Sequence, residues 1–357
     1  MGKVLIPFLV LFLILPISIQ LHALEAGGEY GIFLTGIWNG GTFDSEVHES
    51  LDLELFLPEI WGNEVNYAFR IDNPLQDMLG EKEASYFAKK LYLRHRFENF
   101  NLTIGRQPVS WPFGSLLTPV DYTLGATAME EESRSRYTDA LELYIPLNWN
   151  SGLSMVLSWP DGFSTDSRAM KYGLRGRMGV KGYDLTLNYV QEAEESWNPL
   201  LPGRRAAFTL KGDFGKAGVY ASYGHYFDDL VESTDSYLLG LDYSYNPDYF
   251  TKVSLQLEYL RLDNSNLAIL AGREYMMMNS GGKRLELLSG SFHYPIDDFS
   301  SFSLIAMANL DGSRGAVSPV YQNTLPGNID LTISGQIFLV ENHDTIKALT
   351  AGMSYHF

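Results

Sequence analysis

From Glu29 onward, apolar and polar residues exchange places at every second position. The alternation is clean in Leu51-Asp52-Leu53-Glu54-Leu55, from Glu64 to Ile71, from Ala140 to Ile145, from Lys252 to Tyr259 and from Ile329 to Ile337. A dominant period of two, rather than the helical 3.6, predicts strands with one apolar and one polar face. A soluble sandwich and a barrel share this pattern, but their connections differ. Beyond the third strand, short turns at 98–99, 148–152, 181–182, 212–215, 246–248, 295–298 and 326–328 are rich in Gly, Pro, Asn and Asp, the residues of tight turns. Between them lie longer, acidic or irregular segments at 72–83, 108–138, 160–170 and 192–202. Short turns at one end and long loops at the other mark an outer-membrane barrel; sandwiches place loops of mixed length at both ends.

Counting by this rule gives strands near 29–38, 48–57, 63–71, 84–97, 100–107, 139–146, 152–160, 171–180 and 183–191. The count continues with 203–212, 216–226, 236–245, 250–262, 283–294, 301–310, 316–324, 328–340 and 346–357, which makes 18. Runs 29–38, 48–57 and 316–324 carry the pattern least well, and losing one pair leaves 16. The expected fold class is all-β, a transmembrane antiparallel up-and-down β-barrel forming a single domain over 24–357. With an even strand number both termini fall on the periplasmic side.

The first residues read differently. Met1-Gly2-Lys3 is basic, Val4 to Ile19 is apolar, and Ala23 and Ala26 offer small-residue exits. That is the order of a signal peptide over 1–23, cleaved after Ala23 or Ala26. Pro7 and Pro16 argue against a retained spanning helix.

Composition narrows the choice. Charged residues are 19% of the chain, against about 25% in soluble domains. Tyr (22), Phe (20) and Gly (33) are abundant. The absence of Cys excludes a disulfide scaffold, a Cys-held metal and a thiol nucleophile. A net charge of −17 argues against a nucleic-acid partner, which needs a basic footprint. His225, His293 and His343 lack the spacing of a catalytic set, the acidic loops match no complete calcium pattern, and no cofactor or metal is implied. Met276 to Met278 read as packing residues. We expect no enzyme.

If the apolar face meets lipid, the polar face lines a lumen. Arg70, Lys90, Arg94, Arg96, Arg175, Arg177, Arg205 and Lys211 fall on that face, with Tyr92, Tyr144 and Thr209. Its acids are Asp52, Glu54, Glu64, Glu142, Asp184, Glu258 and Asp330. Most other acid lies in loops, as at Glu130, Glu131 and Glu132. Two readings fit: a basic ladder that draws anionic solutes, or cations that pair with lumen carboxylates and fill the space.

The longest connection, 108–138, follows Gly105-Arg106-Gln107 and contains Trp111 and Pro119-Val120-Asp121. This stretch of about 20 residues resembles porin-like bacterial outer-membrane β-barrels, the alginate-export type and related solute porins. In those a Gly-Arg-Gln triplet closes a strand, a Trp follows and a Pro-x-Asp comes later; here Pro112 stands where Gly is expected after Trp. The resemblance implies a passive channel for small hydrophilic solutes, narrowed by this loop, with Arg106 near the constriction. Turned inward, the loop would bury Trp111, Phe113, Leu116 and Leu117 and set Asp121 or Glu130 to Glu132 against the cations. Alternatively the loop caps the mouth. A rival function is a surface adhesin or structural barrel with a plugged lumen.

The chain ends on Phe357, with Tyr355, Met353, Ala351 and Leu349 on one face and Ser354 and Thr350 on the other. This resembles the terminal signal by which barrel-assembly machinery takes up a strand. The expected location is the bacterial outer membrane, the partners are its lipid, that machinery and small solutes, and a homo-oligomer is compatible with the pattern.

Overall fold

The structure, a computed structural model, describes residues 25–59, 62–80, 82–109, 111, 113, 137–160, 162–194, 203–227, 234–247, 251–264, 284–341 and 345–357. The signal segment, Asp121 and Glu130 to Glu132 lie outside them.

Eighteen strands form one closed sheet. They are β1 (Glu25–Asn39), β2 (Thr42–Phe56), β3 (Asn63–Asp72), β4 (Ser85–Arg96), β5 (Asn101–Pro108) and β6 (Tyr137–Asn148). Next come β7 (Ser151–Trp159), β8 (Lys171–Val180), β9 (Tyr183–Gln191), β10 (Arg204–Phe214), β11 (Ala217–Phe227) and β12 (Thr234–Tyr245). The circuit ends with β13 (Val253–Leu262), β14 (Leu285–Pro295), β15 (Ser300–Asn309), β16 (Arg314–Leu325), β17 (Ile329–Val340) and β18 (Ile346–His356). Each strand pairs antiparallel with its sequence neighbours, and β1 pairs with β18 to close the ring. Every expected strand is present, the three weakest included. A closed ring satisfies all backbone donors and acceptors between strands, as a lipid environment requires.

The first hairpin departs from expectation. β1 and β2 run 15 residues each and meet in a two-residue turn, because Gly40 and Gly41 both take positive φ, 54° and 85°, the requirement of the turn that suits strand twist. About 9–11 residues cross a bilayer, so this hairpin projects past the rim. Beside it, helix α1 (Pro74–Met78) follows β3. Glu49 accepts the Gln76 N–H at 2.6 Å and the Tyr30 hydroxyl at 2.7 Å, which ties α1 to β2.

Outward side chains are the apolar ones. Leu34, Leu93, Ile104, Leu174, Leu187, Leu239, Leu257, Ile333 and Leu349 are exposed along mid-strand. Aromatics gather at the two ends: Trp38, Phe43, Tyr86 and Phe227 at one, Phe56, Tyr183, Phe214, Tyr294, Tyr355 and Phe357 at the other. An apolar band between aromatic girdles is a lipid-facing surface.

Above that band the pattern inverts on β12 to β14. Arg261 turns outward to Asp263 at 2.8 Å, and Arg284 lies 3.4 Å from Glu286. Leu238, Leu260, Leu262, Leu285 and Leu287 turn inward and are buried. Polar groups belong outside once the wall rises into water, and apolar side chains turn to the covered inner face.

The inner wall as candidate functional site

The inner face is set by register with the exposed apolar positions. On β3 it carries Glu64, Arg70 and Asp72, alternating with outward residues such as Val65 and Ile71. Arg70 donates to Asp72 at 2.7 Å and lies 3.6 Å from Asp52. On β4, Lys90 reaches Glu54 at 2.8 Å, Arg96 reaches Glu64 at 3.1 Å, and Arg94 lies 3.6 Å from the same carboxylate.

One residue joins this set unexpectedly. Ala68 pairs with Lys90 and Phe69 with Ala88, so Lys89 is the extra residue of a β-bulge. The bulge lets two consecutive lysines face inward, and buried Lys89 meets Asp52 at 2.9 Å. Lys171, also buried, was missed too, although it shares parity with Arg175 and Arg177 on β8.

On β8, Arg177 pairs with Asp184 at 3.0 Å. Arg205 on β10 is 2% exposed and bonds Glu192 at 2.6 Å, while Lys171 approaches the same carboxylate at 3.1 Å. Glu192 lies just past β9. Burial works to raise its carboxyl pKa, but Lys171 and then Arg205 outweigh it and hold the group below the usual carboxylate range. Lys211 lies 6.0 Å above the ring of Tyr220, and the Tyr220 hydroxyl donates to buried Glu258 at 2.6 Å. Glu142 lies on the inner face of β6.

These cations are therefore met by carboxylates or aromatic rings, on their own strand, one or two strands away or, for Arg175, on the segment after β5.

Arg106 does not join them. It shares its face with outward Leu102 and Ile104, and its register partners are outward Leu91 and Asp139. Its guanidinium lies 3.6 Å from Asp139 and donates to the Ala88 carbonyl at 2.7 Å. The strand is unbroken through Gly105, so the alternation carries Gln107 inward and Arg106 outward. The expectation of Arg106 at a constriction is corrected on that ground.

The chain after β5 does turn inward. Val109 and Trp111 are buried in a cluster with Ala140, Val156 and Val190, which are inner-face residues of β6, β7 and β9. The Arg175 guanidinium lies 6.0 Å from the Trp111 ring centre. Phe113 meets Tyr220 of β11 edge to face at 5.9 Å. Leu116, Leu117 and the Pro119-Val120-Asp121 part of the motif lie outside the described residues.

Solved structures carry the decisive likeness. OccK3 (OpdO) of Pseudomonas aeruginosa superposes with a TM-score of 0.62 at 12% identity, over 94% of this chain and 95% of that one. The fold is that of a porin-like outer-membrane barrel. P. aeruginosa OccK2 (OpdF), solved in complex with glucuronate, also gives 0.62 at 12% identity, over 94% and 98%. Wzi of Escherichia coli, described as a carbohydrate-binding β-barrel involved in capsule assembly, gives 0.57 at 14%, over 92% and 84%. No family model and no curated protein matches the sequence.

Proposed function

We propose that the protein is a passive channel of the bacterial outer membrane for small hydrophilic solutes, anionic ones among them, narrowed by the segment 108–138. The observation that carries this reading is the inward course of Val109, Trp111 and Phe113 against an inner wall bearing paired cations. The glucuronate complex of OccK2 supports an anionic solute.

The ion pairs decide how such a solute would move. A unit pair 4 Å apart is worth about 1 kcal/mol in water and about 4 kcal/mol at an effective dielectric of 20. Arg96 and Arg177, with side chains 61% and 54% exposed, therefore sit near the water limit and exchange partners readily. Arg205, at 2%, does not. A passing anion displaces a wall carboxylate from an exposed cation and is itself displaced in turn, which gives a weak anion preference. No catalytic step belongs to this reading. Residues 1–23 serve as the export signal, and β18 with Phe357 and Tyr355 as the strand that the assembly machinery takes up.

A rival reading, a plugged barrel serving as adhesin or structural anchor, draws on the buried inward leucines of β12 to β14. Planar-bilayer recording in a salt gradient separates the two. The channel reading expects discrete steps and a reversal potential on the anion side, inverted by Arg94→Glu with Arg96→Glu. Silence from correctly folded protein supports the plugged barrel.

A further inference from the structure

On the inner wall near the short-turn end of β6 to β9 lies a cavity of about 470 Å³, within the 300–1,000 Å³ typical of ligand sites. Tyr144, Ser154, Arg175, Arg177, Asn150 and Asp184 are among its lining residues. A Cβ at Gly152 would stand 2.7 Å from the Tyr144 hydroxyl and 2.8 Å from a ring carbon. Only glycine there lets the Tyr144 ring lie back on the wall, and the residue is still 37% exposed. One flat face is thus offered to the cavity.

Resting on the channel reading above, we infer that this cavity is a binding station for a sugar acid, a pyranose ring bearing a carboxylate. A sugar presents a face of C–H groups that stacks on an aromatic ring, together with hydroxyls that need paired donors and acceptors. Tyr144 supplies the ring, and Ser154, Asn150 and Asp184 supply the polar partners. The carboxylate requires a planar cation, and Arg favours bidentate contact with it. Arg177 is exposed and, among the described residues, pairs with Asp184 at 3.0 Å. Arg175 lines this cavity and also faces Trp111. A carboxylate leaving the segment after β5 can therefore pass to this station along one side chain.

The test uses the whole barrel in a planar bilayer, with glucuronate, glucose and acetate added in turn as probes. Glucuronate should interrupt the open current, and glucose and acetate should not, because each lacks half of the recognised chemistry. Tyr144→Ala and Arg177→Gln should each shorten the interruptions about tenfold, the loss of one good contact worth about 1.4 kcal/mol. Equal interruption by acetate, or unchanged interruptions in both variants, would overturn the station while leaving the channel intact. Titration calorimetry of detergent-purified barrel reads the station without conductance. Heat from glucuronate that both variants lose supports it even in a silent barrel, and absent heat in the parent protein overturns it.

Discussion

Phe113 and Tyr220 meet edge to face, with ring centres 5.9 Å apart, although one follows β5 and the other belongs to β11. Five strands of wall, β6 to β10, lie between them, so the contact is made through the interior. Tyr220 can reach inward while lying low because its ring rests on Gly240, where a Cβ would stand 2.0 Å from it.

This contact leads to a test of narrowing. Trp111→Ala with Phe113→Ala should raise single-channel conductance, since both rings occupy the interior. Truncating buried Trp111 should also cost about 3–5 kcal/mol of local packing. A folded variant with unchanged conductance would show that these rings do not set the bore.

Glu192 is expected to govern acid stability. Its pKa is depressed on folding, so its contribution is complete above the ordinary Glu value of about 4.3 and is lost as pH falls through the lower folded value. Glu192→Gln should destabilise by about 3–5 kcal/mol at neutral pH, because buried Lys171 and Arg205 lose their shared counter-charge. Melting of detergent-solubilised barrel from pH 7 to 2 checks both. The parent protein should weaken on acidification, whereas the variant starts low and lacks that component.

The two faces of a strand should respond differently to the same charge. Leu257→Arg or Ile333→Arg, in the exposed apolar band, should cost about 2–4 kcal/mol near mid-membrane. Gln256→Arg and Ser334→Arg, on the opposite face, should be tolerated and should shift ion selectivity. Similar folding yields for the two pairs would contradict the assigned facing.

Much of this fold is legible as alternation, because a sheet with lipid on one side and water on the other must obey it. Even 316–324 appears in the structure as part of β16. Legibility fails where the rule is locally suspended. Lys89 faces inward only through a bulge, and two adjacent lysines were the available hint. Arg106 follows parity with Ile104, a plainer guide than the motif around it. The inward leucines near the rim of β12 to β14 could not be read from a pattern that assumes lipid outside, since there the outside is water. The carboxylate partners were visible as lumen acids, but their distances depend on strand stagger, which alternation does not reveal.

Phe357 offers a cleaner separation of ring from backbone. Its ring stacks near Tyr355 with centres 6.0 Å apart, and its backbone exchanges two hydrogen bonds of 3.0 Å with Gly28. Phe357→Asp should keep the backbone bonds and lose the girdle contact, whereas deletion should lose both. We expect poor membrane insertion from each, more severe for the deletion, read as loss of heat-modifiable gel mobility. Normal insertion of both would remove any assembly role for the residue.

The pairing of β1 with β18 also imposes an order in time. The first strand made cannot find its second neighbour until the last strand has been synthesised and delivered, so the ring is the final structure to form. Contacts of such sequence separation form slowly, and until then two unpaired edges stand open to wrong partners. Between synthesis and closure, therefore, those two edges are where the chain is most open to mispairing.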